Sequence, residues 1–277
     1  MVNFPIAKIN LGLNIVGCRA DGYHDLETVF YPVTGLRDVL EVYPMDGAFP
    51  SAVGCDLKIT NMPIEGDEES NLVVRAYNLL ASHYSLPRVH AHLYKAIPTQ
   101  AGLGGGSSDC AYMIRLLNSM FRLGMTQREM MRLAVSLGAD CPFFVMSSPA
   151  YGEGIGEILE PIELHLGGLF LCIVRPDIPV STREAFAHVV ARKPVRCCRD
   201  IVRGPIASWR GHLVNDFEES VFAAHPEIGA VKERLYAEGA LYAAMSGSGS
   251  SVFGIFQEEP LLGDAFAGMY CHTFLLS

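Results

Sequence analysis

The chain of 277 residues lacks any long uninterrupted apolar segment. A membrane helix needs about 18 or more consecutive apolar residues, and the run from Gly167 to Val174, among the longest here, predicts a buried strand instead. The N-terminus also lacks a basic region followed by a hydrophobic one, the pattern of a secretory signal. We therefore expect no membrane association and a cytoplasmic location.

Blocks of basic residues are missing as well, and the formal net charge is −9. Nucleic-acid surfaces depend on neutralising many phosphates, so this balance argues against a nucleic-acid partner but not against one bound nucleotide. The eight cysteines include no Cys-x-x-Cys pair, which predicts reduced thiols and no zinc knuckle. No Gly-x-Ser-x-Gly elbow occurs, which weakens a serine hydrolase interpretation.

Apolar residues are plentiful, at 50% of the chain, so a substantial core is available. The length fits one large domain or two ordinary ones, and patterning alone indicates an α+β protein. The glycine-rich stretch Tyr151–Gly156 is the clearest candidate boundary. Residues 47–67 are rich in turn-forming residues and predict a connection between surface strands.

The most informative stretch is a glycine-rich loop, Pro98–Asp109. An alternating strand pattern over Val89–Ile97 precedes it, and an apolar face containing Met113, Ile114 and Leu117 follows it. Glycines allow positive φ and close approach of a ligand, and a helix N-terminus offers N–H groups and partial positive charge. Strand, glycine loop and helix start together predict a phosphate-binding site.

Two common phosphate motifs do not fit this loop. No lysine follows the glycines as a Walker loop requires, and Ser107 occupies the third glycine position of a dinucleotide fingerprint. A flexible turn whose serines cap a helix remains an alternative.

Several polar residues elsewhere each have a structural and a functional interpretation. Lys8 interrupts an apolar strand over Ile6–Val16, where it could protect a sheet edge. Tyr23 and His24 follow an Asp-Gly turn and could be half-buried strand residues. Asn71 could simply cap a helix, and Asp140, before Cys-Pro, could be a turn or cap residue.

Three motifs together resemble those of the GHMP small-molecule kinases. The string Pro-x-x-x-Gly-Leu-Gly-Gly-Gly-Ser-Ser from Pro98 resembles the second motif of that family, and the Gly/Ser loop Ser246–Ser251 is similar to the third. Lys8–Leu11 followed by Arg19–His24 resembles the N-terminal signature of one branch of the family, and Gly138–Phe144 resembles its Gly-Ala-Asp-x-Pro-Phe-Phe segment.

The resemblance implies a two-domain α+β GHMP kinase fold. It places an N-terminal ATP-binding domain, ribosomal protein S5 domain 2-like, at residues 1–155. A C-terminal ferredoxin-like α/β sandwich at residues 156–277 is expected to complete the substrate cleft.

The resemblance also implies an ATP-dependent kinase. The expected substrate is a small molecule, the cytidine diphosphate ester of methylerythritol, phosphorylated on its 2-hydroxyl in non-mevalonate isoprenoid biosynthesis. Mg²⁺ is expected to arrive with ATP, without a direct protein ligand unless Ser108 contributes one. Asp140 is expected to accept or orient the hydroxyl proton, with Lys8 beside it favouring the developing alkoxide. A neighbouring cation makes a carboxylate a weaker base, which favours an orienting role for Asp140.

Further site residues follow from the same motifs. The expected ATP-binding residues are Asn71, Lys95, Ala101, Gly102, Leu103, Gly104, Gly105, Gly106, Ser107 and Ser108. The expected substrate-binding residues are Asn10, Tyr23, His24, Thr182, Phe186, Gly247, Ser248 and Gly249. Stacking of the cytosine among Tyr23, His24 and Phe186 would be an effective way to recognise it.

Three positions depart from the family pattern: Cys18, Gln100 and Cys141. The first two bear on substrate phosphate contacts, while Cys141 replaces a valine of similar volume. Two alternatives stay open: a GHMP kinase acting on homoserine or mevalonate, and a catalytically silent nucleotide-binding or RNA-binding module. Oligomeric state is not predicted.

Overall fold

The computed structural model describes residues 1–47, 53–64, 66–187 and 189–277. Part of the stretch predicted to be turn-rich, residues 48–52 and 65, lies outside the described residues. The elements of the first 146 residues are β1 (Val2–Asn3), β2 (Ile6–Cys18), β3 (His24–Arg37), β4 (Val39–Pro44), β5 (Cys55–Thr60), α1 (Leu72–His83), β6 (Val89–Tyr94), α2 (Gly105–Met120), α3 (Gln127–Ala134) and α4 (Cys141–Met146). They are followed by β7 (Ala150–Glu153), β8 (Ile158–Pro161), β9 (Phe170–Arg175), α5 (Thr182–Phe186), α6 (Cys198–Val202), α7 (Phe217–Ala224), α8 (Pro226–Ala237), β10 (Tyr242–Met245), β11 (Val252–Phe256) and β12 (Tyr270–Leu275).

Packing divides the chain into two compact units. The first unit contains Met1–Ala7, Leu36–Thr99 and Gly104–Ser148, and the second contains Lys8–Gly35, Gln100–Leu103 and Pro149–Ser277. These units alternate along the chain, whereas the boundary predicted after residue 155 separates two consecutive segments. That boundary stays a prediction.

The first unit is built on a four-stranded sheet in the order β1-β4-β6-β5. Strands β5 and β6 are parallel, with α1 between them in sequence, because a parallel pair needs a long crossover connection. Helix α1 packs on α2 and β5, and it buries Val73, Ala76, Tyr77 and Leu80 at helical spacing. This packing holds the start of α2 against the sheet side of the unit.

Strand β5 corrects one sequence-based expectation, because it lies inside the stretch read as turn-rich. Cys55 and Leu57 are buried while Lys58 is exposed, and β5 pairs with β6 in register Leu57↔Ala91. The short alternation was present in the sequence. The neighbouring glycines and acidic residues obscured it.

The second unit contains two four-stranded sheets, β2-β3-β7-β8 and β10-β11-β9-β12. In the latter, all neighbouring strands are antiparallel, with Phe253 opposite both Ala244 and Ile173. Strands β9, β10, β11 and β12 are joined by helices α5–α8, then a Gly/Ser loop, then turns over residues 263–268. The β-α-β-β order is that of a ferredoxin-like sandwich, with turns where its second helix would lie.

Helix α8 closes this sheet from one side. It packs on β10, β11 and α7 and buries Ile228, Val231 and Leu235 in a cluster that also contains Leu13 and Ile15 of β2. Within the described residues, none of the helices combines the length and apolarity that crossing a bilayer requires. Mixed helices and mainly antiparallel sheets in two units agree with the predicted α+β class.

Candidate active site

The predicted phosphate loop forms the start of α2 in the first unit. Gly104 is the N-cap, in the left-handed region at φ 71°, and no side chain caps the helix. Gly105, Gly106 and Ser107 make up the first turn, so their N–H groups and the helix dipole point out of a 16-residue helix. The sequence correctly predicted strand, glycine loop and helix start. The arrangement is suited to an anion.

Gly105 packs closely on the residues beneath it. A Cβ built on Gly105 would come within 3.0 Å of Ile97 Cγ2 and 3.2 Å of Lys95 Nζ. The Lys95 ammonium donates to Asp38 Oδ2 and to Asp109 Oδ2, the latter at 2.8 Å. Lys95 is 1% exposed, and these two carboxylates take up two of the three N–H donors of its ammonium.

Lys95, Asp38 and Asp109 form a buried triad. Burial and neighbouring charge together shift the pKa values of Lys95 and Asp109. Burial lowers the pKa of Lys95, but the Asp109 and Asp38 charges outweigh it and the net shift is upward. Burial also raises the pKa of Asp109 well above its usual range, against the opposing effect of Lys95. Asp38 additionally accepts the backbone N–H groups of Ala96 and Ile97, at 2.6 and 2.8 Å. The triad thus fixes the end of β6 beneath the helix start.

Two serines and Asp140 lie near the same helix start. Ser107 Oγ is 3.7 Å from the position that a Cβ on Gly138 would occupy, and α2 packs on α4. Asp140 is the N-cap of α4 and is half-buried. Ser108 is fully buried, and its Oγ has no hydrogen-bond partner among the described residues. Serine hydroxyl groups, a carboxylate and a helix N-terminus are therefore brought together in the first unit.

Asn71 has the capping role that the sequence suggested. Its Oδ1 accepts the N–H of Val73 at 2.9 Å at the start of α1. The next residue, Leu72, lies 3.7 Å from where a Cβ on Gly106 would be. Asn71 is thus close to the glycine loop, and its Nδ2 atom is still able to donate.

Ala101, Gly102 and Leu103 belong to the second unit and are packing residues there. A Cβ on Gly102 would lie 1.8 Å from the Ser246 carbonyl oxygen, so only glycine fits. Ser246 Oγ donates to the Gly102 carbonyl at 2.9 Å, and the Leu103 carbonyl accepts the N–H of Lys8 at 3.0 Å. These residues tie the Ser246–Ser251 loop to β2.

Lys8 and Asn10 meet the same loop. Lys8 is 3% exposed, and its Nζ donates to Asn10 Oδ1 at 2.5 Å, while Asn10 Nδ2 donates to Thr28 Oγ1 at 3.0 Å. A Cβ on Gly247, whose φ is 54°, would lie 3.3 Å from Lys8 Nζ and 3.4 Å from Asn10 Oδ1. An ammonium, a carboxamide and a glycine backbone therefore converge here, a contact between the first and third motifs that the sequence analysis did not predict.

The rest of that loop is compact. Gly249 donates to the Ser246 carbonyl at 3.0 Å and has φ 89°, while Ser248 is half-buried. Asn215, which sequence analysis did not single out, is also here: its Nδ2 donates to the carbonyls of Met245 and Gly247, each at 2.8 Å. Its place just before α7 was the only signal in the sequence, and that signal suggests nothing beyond a helix cap.

The three residues predicted to hold a base also lie in the second unit. The His24 and Phe186 rings stack, with centroids 4.7 Å apart and planes at 22°, and Phe186 meets Phe217 edge-on at 4.7 Å. Tyr23 is 60% exposed, and Thr182 is exposed at the start of α5. The structure thus brings His24 and Phe186 together and leaves Tyr23 open to solvent.

The turn before His24 is fixed by its own hydrogen bonds. Arg19 Nε donates to Asp25 Oδ1 at 2.7 Å, and the N–H of Tyr23 donates to Asp21 Oδ1 at 3.0 Å. Gly22 has φ 87°, as the predicted Asp-Gly turn requires.

For Mg²⁺, the fit rests on Ser108. Across residues 1–47, 53–64, 66–187 and 189–277, no cluster of three His, Cys, Asp or Glu side chains could hold a metal ion. The buried Ser108 Oγ at the helix start is an oxygen suited to a hard cation that also binds phosphate oxygens.

Comparison with known proteins identifies the family of the chain. The family profile described as GHMP kinases N terminal domain matches residues 71–148, and GHMP kinases C terminal matches residues 201–271. A Bacteroides thetaiotaomicron protein named 4-diphosphocytidyl-2-C-methyl-D-erythritol kinase is 49% identical over 274 residues, covering 99% of this chain and 98% of its own. A Bacteroides fragilis protein of the same name is 47% identical over 272 residues, covering 98% of each.

A solved structure shows the same likeness in three dimensions. The crystal structure of 4-(cytidine 5'-diphospho)-2C-methyl-D-erythritol kinase superposes with a TM-score of 0.79 at 31% identity, covering 99% of this chain and 98% of the other. The glycine-rich helix start, the Lys8–Gly247 cluster and these near-full-length matches lead to one conclusion: the chain belongs to the GHMP kinases, a family of small-molecule kinases.

Proposed function

We propose that the chain is a cytoplasmic, ATP-dependent kinase of 4-diphosphocytidyl-2-C-methyl-D-erythritol, phosphorylating its 2-hydroxyl in non-mevalonate isoprenoid biosynthesis. The observation that carries the proposal is the start of α2. An uncapped helix N-terminus after Gly104 lies beside Ser107, which neighbours the Gly138–Asp140 segment. A helix start suited to phosphate and a carboxylate thus lie in one unit, which supports the proposal. Relatives of that name at 47% and 49% identity support the choice of substrate.

The nucleotide is assigned to the first unit. The N–H groups of Gly105, Gly106 and Ser107 would hold its β- and γ-phosphates. Asn71 Nδ2, next to Leu72 and Gly106, is assigned to the adenosine. Mg²⁺ bound with ATP would supply charge neutralisation on the phosphates, and Ser108 Oγ is the side-chain atom proposed to face it.

Asp140 and Lys8 are assigned the proton and the charge of the acceptor hydroxyl. Asp140 would accept or orient the hydroxyl proton. Either action would position the acceptor hydroxyl, and positioning is most of what phosphoryl transfer asks of the protein. Lys8, held by Asn10, would stabilise negative charge developing on the acceptor oxygen.

The cytosine ring is assigned to the His24–Phe186 pair with Tyr23. The two rings are already 4.7 Å apart, so a base does not fit between them unless they separate. A stacked base needs about 3.5–4 Å on each side. We therefore place the base on the side of this pair where Tyr23 is exposed. The net charge of −9 favours a single nucleotide ester over a nucleic-acid partner.

A coupled ADP-release assay tests the proposal. Wild type is offered 4-diphosphocytidyl-2-C-methyl-D-erythritol, free methylerythritol, homoserine and mevalonate. We expect turnover on the cytidine ester and little on the others. Preference for any free alcohol would overturn the substrate assignment, and no turnover on any of the four would overturn the proposed kinase.

Asp140→Asn serves as the matched inactive variant in that assay. We expect kcat to fall roughly 10²–10⁴-fold because the amide accepts no proton, with ATP affinity unchanged by calorimetry. Near-normal kcat in a folded variant would contradict the role assigned to Asp140.

A further inference from the structure

Asn215 is buried at a junction of three segments in the second unit. It is 3% exposed, and all its side-chain bonds described here go to backbone. Nδ2 donates to the carbonyls of Met245 and Gly247, each at 2.8 Å, and Oδ1 accepts the N–H of Phe217 at 3.0 Å. One carboxamide therefore connects the start of α7 with the end of β10 and its following loop.

The backbone of Asn215 is itself fixed by β2. It forms a parallel bridge with Leu13, in which Leu13 N–H donates to Val214 and the Leu13 carbonyl accepts from Asp216, each at 2.8 Å. Lys8 and Asn10 lie earlier on the same strand. Asn215 is thus held by the strand that carries Lys8 while it holds the loop that Lys8 contacts.

The hydrogen bond from Asn215 Nδ2 to the Gly247 carbonyl determines the orientation of the peptide group between Gly247 and Ser248. In a trans peptide the C=O and the following N–H point in opposite directions. With the Gly247 carbonyl held towards Asn215, the N–H of Ser248 points away from it. Gly247 has φ 54° and no side chain, so without this bond its peptide could rotate readily.

The residue that this bond holds is also close to Lys8. A Cβ built on Gly247 would lie 3.3 Å from Lys8 Nζ. We propose that Asn215 is a positioning residue for phosphoryl transfer: it fixes the Gly247–Ser248 peptide so that its N–H and Lys8 face the acceptor substrate together. This inference rests on the proposed function, which assigns Lys8 to the charge developing on the acceptor oxygen.

Asn215→Asp tests the proposal, because a carboxylate of the same shape cannot donate to either carbonyl. At pH 8 we expect kcat on the cytidine ester to fall about 10- to 100-fold, as small misplacements at a reacting centre do. ATP affinity by calorimetry should change by less than about threefold, a factor too small to reflect a lost phosphate contact. Lowering the pH should partly restore kcat relative to wild type, since a protonated carboxyl regains one donor.

The matched control is Asn118→Asp. Asn118 makes the same kinds of bond, to the carbonyl and N–H of Met125 at 3.0 Å each, in the first unit. It should lose stability without the kcat effect or the recovery at low pH. Asn215→Ala, which buries no charge, replaces Asn215→Asp if circular dichroism shows the latter unfolded.

Hydrogen exchange of residues 245–251 gives a readout that needs no substrate. We expect faster exchange in the Asn215 variant and unchanged exchange in the Asn118 variant. Wild-type exchange rates in a folded Asn215 variant, or kcat within twofold of wild type, would overturn the proposal. If wild type fails on the cytidine ester, the proposed function fails, while the exchange result still decides whether Asn215 fixes the loop.

Discussion

Lys8 and Lys95 are both buried lysines, 3% and 1% exposed, but they lie in different units and in different surroundings. Lys95 donates to two carboxylates beneath the start of α2. Lys8 donates to the neutral carboxamide of Asn10, lies 5.6 Å from the Phe30 ring centroid and adjoins the backbone of Gly247. The first arrangement supports a helix start from below, whereas the second brings a positive charge next to the backbone of Gly247.

The largest effect on stability is expected from Lys95→Met. Removing the ammonium leaves Asp38 and Asp109 buried beside each other, and breaking a buried ion pair costs about 3–5 kcal/mol. Urea unfolding followed by circular dichroism measures the loss. Lys58→Met, on the exposed face of β5, is the control and should stay within about 0.5 kcal/mol. A loss below about 1 kcal/mol at Lys95 would remove the contrast between the two lysines.

Lys8→Met, in contrast, should lower activity more than stability. We expect kcat to fall about 10²–10³-fold, the usual cost of removing one group that stabilises developing charge. Its loss of unfolding free energy should be smaller than that of Lys95→Met, because Asn10 keeps its bond to Thr28. ADP release and urea unfolding on both variants give the comparison directly. If Lys8→Met retained kcat but unfolded more easily than Lys95→Met, the assignment of the two lysines would be inverted.

The contrast between these lysines was only partly readable from the sequence. Local signals indicated several elements: the Asn71 cap, the strand before the glycine loop and the helix that follows the loop are all present. The partners of Lys95 were not predictable, because Asp38 is 57 residues away in sequence. Nothing local distinguishes a lysine that will meet two carboxylates from one that will meet an asparagine.

The same reason explains what the motifs could not supply at the candidate site. The first and third motifs were recognised separately, but the contact between Lys8 and Gly247 depends on how β2 and the β10–β11 loop pack. Asn215 was missed because its bonds to Met245 and Gly247 span 30 and 32 residues. Long-range packing decides such contacts, and a single sequence carries no direct record of it.

An intermediate effect is expected from replacing the aromatic pair of the second unit singly, as His24→Ala and Phe186→Ala. Each should lower kcat/KM on the cytidine ester about 5- to 150-fold, the range for one stacked base contact, with KM for ATP unchanged. The matched control is Tyr43→Ala, which removes a ring contact with His90 in the first unit, at 5.2 Å between centroids. Unchanged kcat/KM in both folded variants would show that the pair only packs.

The smallest effect is expected from Cys141→Val, although Cys141 directly follows Asp140 at the start of α4. A hydrogen bond with Cys141, together with burial, raises the pKa of Cys110 well above its usual range, so that thiol is neutral and the contact is weak. Swaps that conserve volume in a core usually cost less than about 1.5 kcal/mol. We therefore expect kcat within about threefold of wild type, and Cys55→Val, another buried cysteine of the first unit, to behave alike. Steady-state kinetics and urea unfolding on both variants measure this. A large loss of kcat confined to Cys141→Val would mean that the thiol helps set the position of Asp140, so that the first unit, like the Lys8 region, would depend on a buried neighbour to position its reacting group.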